Sequence, residues 1–189
     1  MPKLGMEPIR RDALVKAAIA EIGAAGSLDV TMGGIARRAG VSPALAHHYF
    51  GSKDALFLSA MRHILAGYGA AVRAALRGQT DPQARLRAIV RASFDADQFR
   101  PEVVAAWLNF YVQARTVPQA ARLLAIYRGR LHSNLLHALR PLAASRADAL
   151  AGTVGALIDG FYLRAGTDGR TGGADEVLDM VDTVLARAR

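Results

Sequence analysis

The chain has 189 residues, of which 52% are apolar and 21% charged, enough for one globular domain or two small ones with a real core. It has no cysteine, which excludes a disulfide framework, a cysteine-based zinc site and a thiol nucleophile. A formal net charge of +8 admits nucleic acid, an anionic membrane or an acidic protein as partner without choosing among them, because 21 of the 24 basic residues are arginines in an alanine- and glycine-rich chain.

The longest charge-free run, residues 39–52, is 14 residues, short of the 18 or so that span a bilayer. No basic start leads into an apolar run, so no signal peptide is expected. These readings predict a cytoplasmic protein with no membrane partner.

Helical periodicity runs through the whole sequence and strand alternation through none of it, which predicts an all-α fold of nine helices. The first is expected over residues 9–25, with Leu14, Ala17, Ala18 and Ile22 as its apolar stripe and Gly26 as its stop. The second, over 32–39, starts behind the N-cap Thr31 and stops at Gly40. The third, over 43–49, has Ser42 as N-cap and Pro43 at its first position, where no N–H is needed. The fourth starts behind Ser52 and runs to about residue 77.

Proline punctuates the C-terminal half. Pro82, Pro101 and Pro118 open the fifth, sixth and seventh helices, expected to end near Gln98, near Arg115 and at Pro141. Ser145 is expected to cap the eighth, with Asp148 completing a capping-box variant, and Gly166 to end it. A mobile loop is expected over 167–173. The ninth helix, over 174–187, carries Val177, Leu178, Val181 and Leu185 on one face. There is no internal repeat and no low-complexity tail.

Residues 31–53 carry the most specific pattern. Two short helices are joined by Gly40, Val41 and Ser42, and a turn this tight needs a residue that tolerates positive φ, which Gly40 supplies. Ile35, Ala36, Ala39, Val41, Ala46 and Phe50 fall on one side and are expected to pack on the first helix. The outward positions are informative. Pro43 and Ala44 allow close approach to a groove, Leu45 can touch a thymine methyl, and His47 and His48 can donate to base edges or phosphate. Thr31, Ser42, Tyr49 and Lys53 stand where backbone phosphates would pass, and the fourth helix's N-terminus offers free N–H groups. The bland alternative is a plain helical hairpin. Gly33 and Gly34 inside the second helix each cost about 1 kcal/mol relative to alanine, so that helix is expected to fray without DNA.

Through Thr31, Ile35, Ala36, Ala39-Gly40-Val41-Ser42, Tyr49, Phe50, Lys53 and Leu56 the segment resembles the TetR family of transcriptional repressors. The resemblance implies a helix-turn-helix head over 8–68, with the motif at 31–50, and a helical ligand-binding and dimerisation body over 69–189. It also implies a homodimer reading a pseudo-palindromic operator, the fourth helix acting as lever between ligand and head. The expected dimer surface lies on the eighth and ninth helices: Gly152, Gly155, Ala156 and Gly160 permit close approach, joined by Val181 and Leu185. Packing within one chain is the alternative for these.

Twelve aromatics are unevenly spread, with Trp107, Phe110 and Tyr111 together on the sixth helix, Phe94 and Phe99 before them, and Tyr127, Phe161 and Tyr162 after. Such a stripe is more often core than ligand site. The sharper reading is a cage for a quaternary ammonium built from Phe94, Trp107, Phe110, Tyr111 and Tyr127, with a carboxylate from Asp95, Asp97 or Asp159. Asp159 lies in an apolar stretch and needs a partner: Arg164, a backbone N–H, a second subunit or a ligand cation.

The start MPKLGM with Arg10-Arg11, IARRAGVS, His48-Tyr49-Phe50, Phe94-Asp95, Ala106-Trp107-Leu108, Arg130-Leu131, Ser133-Asn134-Leu135, Ala156-Leu157-Ile158-Asp159-Gly160 and Leu163-Arg164 look like the BetI-type branch of that family. That resemblance implies a choline-responsive repressor of the choline to glycine betaine (osmoprotectant) genes. A TetR-type regulator of an efflux or catabolic gene, sensing another hydrophobic or cationic molecule, is the alternative.

An enzyme is the reading from another class. There is no glycine-rich phosphate loop, no helical i,i+4 histidine pair for a metal among His47, His48, His63, His132 and His137, and no legible Ser-His-Asp arrangement. No cofactor, no metal and no catalysis are therefore expected; His132 and His137 are expected to face solvent or core. Residues 1–53 hold seven basic and four acidic side chains, so attraction to DNA rests on a few placed groups, Lys3, Arg10, Arg11 and Lys53 among them.

Overall fold

In the computed structural model, residues 5–169 and 173–186 are described. They form α1 (Met6–Ala25), α2 (Met32–Arg38), α3 (Pro43–Phe50), α4 (Lys53–Ala75), α5 (Pro82–Ser93), α6 (Pro101–Gln113), α7 (Pro118–Ala143), a 3-10 turn (Ala144–Arg146), α8 (Ala147–Asp168) and α9 (Ala174–Ala186). The fold is all-α. Lys3, Arg187 and residues 170–172 of the expected loop lie outside the described residues.

Side-chain caps start four of the helices, α2 to α5. Side-chain oxygens of Thr31, Ser42, Ser52 and Asp81 accept from the backbone N–H three residues on, at 3.0, 3.2, 3.1 and 2.7 Å. Gly26 ends α1 at φ 65°, and Gly40 turns between α2 and α3 at φ 67°, a left-handed backbone that a side chain would strain.

Several boundaries differ from expectation, beginning with α1, which starts at Met6, three residues early. α5 stops at Ser93, with Phe94 as its C-cap. Pro141 sits inside α7, which continues to Ala143; so near the C-terminus a proline removes one i→i−4 bond rather than breaking a whole turn. Ser145 does not cap α8: it lies in the 3-10 turn behind Ala144, whose φ is 46°, and α8 begins at Ala147 behind Arg146 without a side-chain cap. α8 also runs two residues past Gly166, to Asp168.

α4 is long and apolar enough to cross a membrane by composition alone, with mean hydropathy 1.3 over its best window. Its apolar face belongs instead to the core, where Leu56, Phe57, Ala60, Met61, Ile64, Tyr68 and Val72 are buried. α1 packs on α2, α4 and α6, while α7 and α8 pair closely and α9 lies against α5 and α8. Val181 and Leu185, expected on a dimer surface, are buried within the one chain, on the helix that packs against α5 and α8. A helix face with apolar residues at i, i+4 and i+8 reads the same from sequence whether its partner is in the same chain or another.

Candidate functional site

The helix pair α2–α3 is built as its sequence pattern requires. Ile35, Ala36 and Ala46 are buried, and Ala39, Val41, Tyr49 and Phe50 pack partly buried against the same core. α2 is further braced to α1 by the Arg38–Glu21 ion pair. Gly34 has Thr31 Oγ1 3.3 Å and Glu21 Oε2 3.6 Å from where a Cβ would stand, so one of the two unfavourable glycines leaves room for the cap and for this brace.

Ser42, Pro43, Ala44, His47 and His48 are exposed together along one side of α3, with Leu45 half-buried beside them. His47 Nδ1 lies 3.3 Å from the Gly51 carbonyl oxygen. The Arg11 guanidinium stands over the rings of Tyr49 and Phe50, at 5.1 and 5.3 Å, which ties the start of α1 to the end of α3. Lys53 does more than sequence suggested: its Nζ donates to the Leu28 carbonyl oxygen at 2.8 Å, closing the loop between α1 and α2. Two of its three ammonium protons remain for other partners.

In the body, the aromatic residues come together but pack on one another. Trp107 lies 4.8 Å from Tyr127, 5.5 Å from Tyr111, 5.6 Å from Tyr162 and 5.8 Å from Phe110, centroid to centroid. Phe94 is displaced from this group and sits between Phe99 and Phe161. Trp107 and Phe110 are fully buried. Ring centroids at these spacings are in contact, so four of the five expected cage residues, Trp107, Phe110, Tyr111 and Tyr127, form a closed aromatic core with Tyr162 and without Phe94. The Trp107 indole N–H is buried and has no acceptor among the described residues.

One edge of this core is polar. Tyr111 Oη donates to Asp159 Oδ1 at 2.9 Å, and Arg128 Nη2 donates to Asp159 Oδ2 at 3.1 Å. The Arg128 guanidinium lies over the Tyr111 ring, 5.7 Å from its centroid. Asp159 therefore has two partners, neither of them Arg164; Arg128 is absent from the sequence-level candidates because helical spacing relates positions on one helix and not on two. Arg128 and Asp159 line a groove of about 290 Å³ between α7 and α8, together with His132, Gly152, Gly155 and Ala156. His132 meets Asp148 at 3.0 Å across the same two helices.

Burial pushes the Tyr111 hydroxyl far above the usual tyrosine range, and the neighbouring Asp159 carboxylate pushes it further. Tyr162 and Tyr127 are raised by burial and then by their neighbouring tyrosines and Asp159, and Tyr68 by burial against the opposing hydrogen bond from Ser93. These hydroxyls are neutral donors at physiological pH. Tyr68 Oη pairs with Ser93 Oγ at 2.9 Å, Ser93 Oγ donates to the Ile89 carbonyl at 3.0 Å, and Tyr162 Oη donates to the Ser93 carbonyl at 3.0 Å, so a wholly buried serine ties α4, α5 and α8 together.

Head and body meet on α6. Asn109 Nδ2 donates to the Gly26 carbonyl at 3.4 Å and Gln113 Nε2 to Asp54 Oδ1 at 3.3 Å, while Glu102 presses on Gly23. No sequence motif marks this contact.

A capped helix-turn-helix with an exposed second helix, set on a helical body with an aromatic core, defines a DNA-binding regulator. The description "Bacterial regulatory proteins, tetR family" matches residues 14–60, and "BetI-type transcriptional repressor, C-terminal" matches residues 82–189. The chain belongs to the BetI-type branch of the TetR family of transcriptional repressors. It is 49% identical over 187 residues to the HTH-type transcriptional regulator BetI of Brucella melitensis biotype 1, covering 98% of this chain and 94% of that one. It is 53% identical over 165 residues to BetI of Rhizobium meliloti, covering 87% and 81%. Among solved structures, a transcriptional regulator of Saccharomonospora viridis in complex with choline superposes with a TM-score of 0.83 at 22% identity, covering 95% of this chain and 97% of that one. A regulator of Pseudomonas aeruginosa PAO1 gives 0.81 at 26% identity, covering 99% and 97%. These relatives are regulators and not enzymes.

Proposed function

We propose that the chain pairs as a homodimer, represses the choline to glycine betaine genes by occupying a pseudo-palindromic operator, and responds to choline. It does this in the cytoplasm, associated with the nucleoid when bound to its operator. The single observation that carries the choline reading is the place of Arg128. Its guanidinium sits over the Tyr111 ring and against the Asp159 carboxylate, at the edge of the Trp107 core. Aromatic face and carboxylate are the two features that hold a quaternary ammonium, each good ring contact contributing roughly 0.5–2 kcal/mol. Arg128 is thus the chain's own cation, held at the exposed edge of the core, that choline displaces, and the closed rings of Trp107, Phe110, Tyr111 and Tyr127 re-space around the trimethylammonium; Phe94 supports them from behind.

The domains of this reading are a DNA-binding head over 8–68 and an effector-binding body over 69–189. In the head, Leu45, His47 and His48 read base edges, Pro43 and Ala44 give close approach, and Thr31, Ser42, Tyr49 and Lys53 meet phosphates. Two heads must then stand one DNA turn apart, about 34–36 Å, or a multiple of it. The dimer face is the side of α8 carrying Gly152, Gly155, Ala156 and Gly160. Outside the backbone of α8 itself, no described atom lies within 4 Å of a Cβ built on any of those three glycines, so packing against the other helices does not require them, and Leu163 is 54% exposed on the same side.

Choline can shift DNA affinity only by binding one conformation better than another. α4 joins head to body directly, and α6 adds a second route, because its Trp107 and Tyr111 belong to the effector core while its Glu102, Asn109 and Gln113 touch the head. Titration calorimetry tests the reading. Choline should release heat with the native chain and with Asp97→Ala, and lose affinity in Trp107→Ala and Asp159→Asn; no heat with choline, and heat with a lipophilic drug, overturns it.

A further inference from the structure

A larger cavity than the groove beside Asp159 opens between α4 and α7, about 710 Å³ in volume, within the range of small-molecule sites. Its α4 wall recurs every three or four residues, through Arg62, Leu65, Gly69, Val72, Arg73 and Leu76, so one face of that helix is turned into it. Two kinds of chemistry share the cavity. Val72 and Leu131 are buried in its floor, and Leu65, Leu76 and Leu123 are half-buried around them. Arg62, Arg73 and Arg130 stand in its walls, and none makes an ion pair or a side-chain hydrogen bond among the described residues. No aspartate or glutamate lines it.

Arg73 folds back along α4, its Nη1 only 3.2 Å from where a Cβ on Gly69 would stand, which brings its guanidinium to the level of Tyr68. Tyr68 meets the Tyr127 ring at 5.7 Å, and Arg130 follows Tyr127 by less than one turn of α7. Tyr127 is 6% exposed and lines the cavity with its ring, while its hydroxyl faces Tyr68, Tyr111, Tyr162 and Asp159. Three positive groups and no carboxylate around one apolar cleft repel a quaternary ammonium and attract an anion.

We infer that this cleft is a second effector site, for a single-chain amphipath with an anionic head: the head at Arg73 and Arg130, the tail along Val72, Leu76, Leu123 and Leu131. Carboxylate and phosphate heads share this chemistry. The inference does not depend on the choline reading, yet it bears on it, because the Tyr127 ring also packs 4.8 Å from Trp107. An occupant of the cleft pushes on the same core that choline opens.

The test is titration of the full chain at fixed ionic strength with decanoate, decyl phosphate, 1-decanol and acetate, each below its micellar or solubility limit. At least one of decanoate and decyl phosphate should bind, at least about tenfold more tightly than 1-decanol and acetate, and the tighter of the two identifies the head. The Arg73→Gln/Arg130→Gln variant should bind that amphipath about tenfold more weakly with its choline affinity retained. The inference is overturned if neither anion binds, if 1-decanol binds as well as both (an apolar groove only), if acetate binds as well (a simple anion site), or if the variant is unaffected. The comparison of heads on the native chain needs no variant and stands if the variant fails to fold.

Discussion

Gly23 of α1 and Glu102 of α6 touch so closely that a methyl group on the glycine would overlap the Cα and Cβ of the glutamate. Head and body are therefore in direct contact through helix backbones, not only joined in series through α4. Gly23→Ala sets two known effects against each other. Alanine favours a helix interior by about 1 kcal/mol over glycine. Overpacking a close helix contact costs typically 1–3 kcal/mol. We expect the second to win: a melting temperature lower by a few degrees, and operator binding less sensitive to effector because α6 no longer seats on α1. A rise in melting temperature would show that α1 and α6 are not in contact.

Lys53 has two duties, and one variant separates them. Lys53→Ala removes the bond to the Leu28 carbonyl, worth about 1 kcal/mol of stability. If the remaining protons also meet a phosphate, the slope of log K against log salt for DNA binding falls by about 0.9. We expect both losses. Lower stability with an unchanged slope would make Lys53 a strut of the head alone.

The sequence reveals the head almost completely and the body only in outline. Thr31, Gly40, Ser42 and Pro43 act within a few residues of themselves, through caps and a left-handed turn, and local chemistry is what a sequence displays. Arg128, Glu102 and the arginines of the α4–α7 cleft act across helices, and nothing in their neighbourhood along the chain says what they meet. Val181 and Leu185 show the same limit from the other side, their apolar face being legible and its partner not. The start of the eighth helix is not legible because Ala144 takes a positive φ that no glycine or asparagine announces.

The Ser93 junction should be cooperative. Ser93→Ala leaves the buried Tyr68 hydroxyl without its partner, a loss of about 1–3 kcal/mol. Tyr68→Phe leaves Ser93 still bonded to Ile89 and should cost less. In urea unfolding, the double variant should lose less than the sum of the singles. Strict additivity would mean that the two hydroxyls do not pair.

Tyr68, Tyr111, Tyr127 and Tyr162 are all raised above 10.0 by burial, so the folded chain keeps protons that the unfolded chain releases. Stability from this source is complete below a pH of about 10, the tyrosine value in an unfolded chain, and is lost as pH rises above it. Tyrosinate absorbance at 295 nm should therefore develop for these four only together with the loss of helical circular dichroism. Their ionisation with helix content intact would place them in water.

Arg128→Gln removes the cation that competes with choline and leaves Asp159 with Tyr111. Choline affinity should rise severalfold in calorimetry. A fall in affinity would mean that Arg128 positions Asp159 for the ligand and does not compete with it.

Above all, choline must weaken the hold of this chain on its operator. The decisive measurement is fluorescence anisotropy of a duplex selected by the protein from random DNA, titrated with choline chloride and in parallel with equimolar sodium chloride. Choline should release the duplex at concentrations where sodium chloride does not, and Asp159→Asn should abolish the difference. Superimposed choline and sodium chloride curves would contradict a choline-responsive repressor.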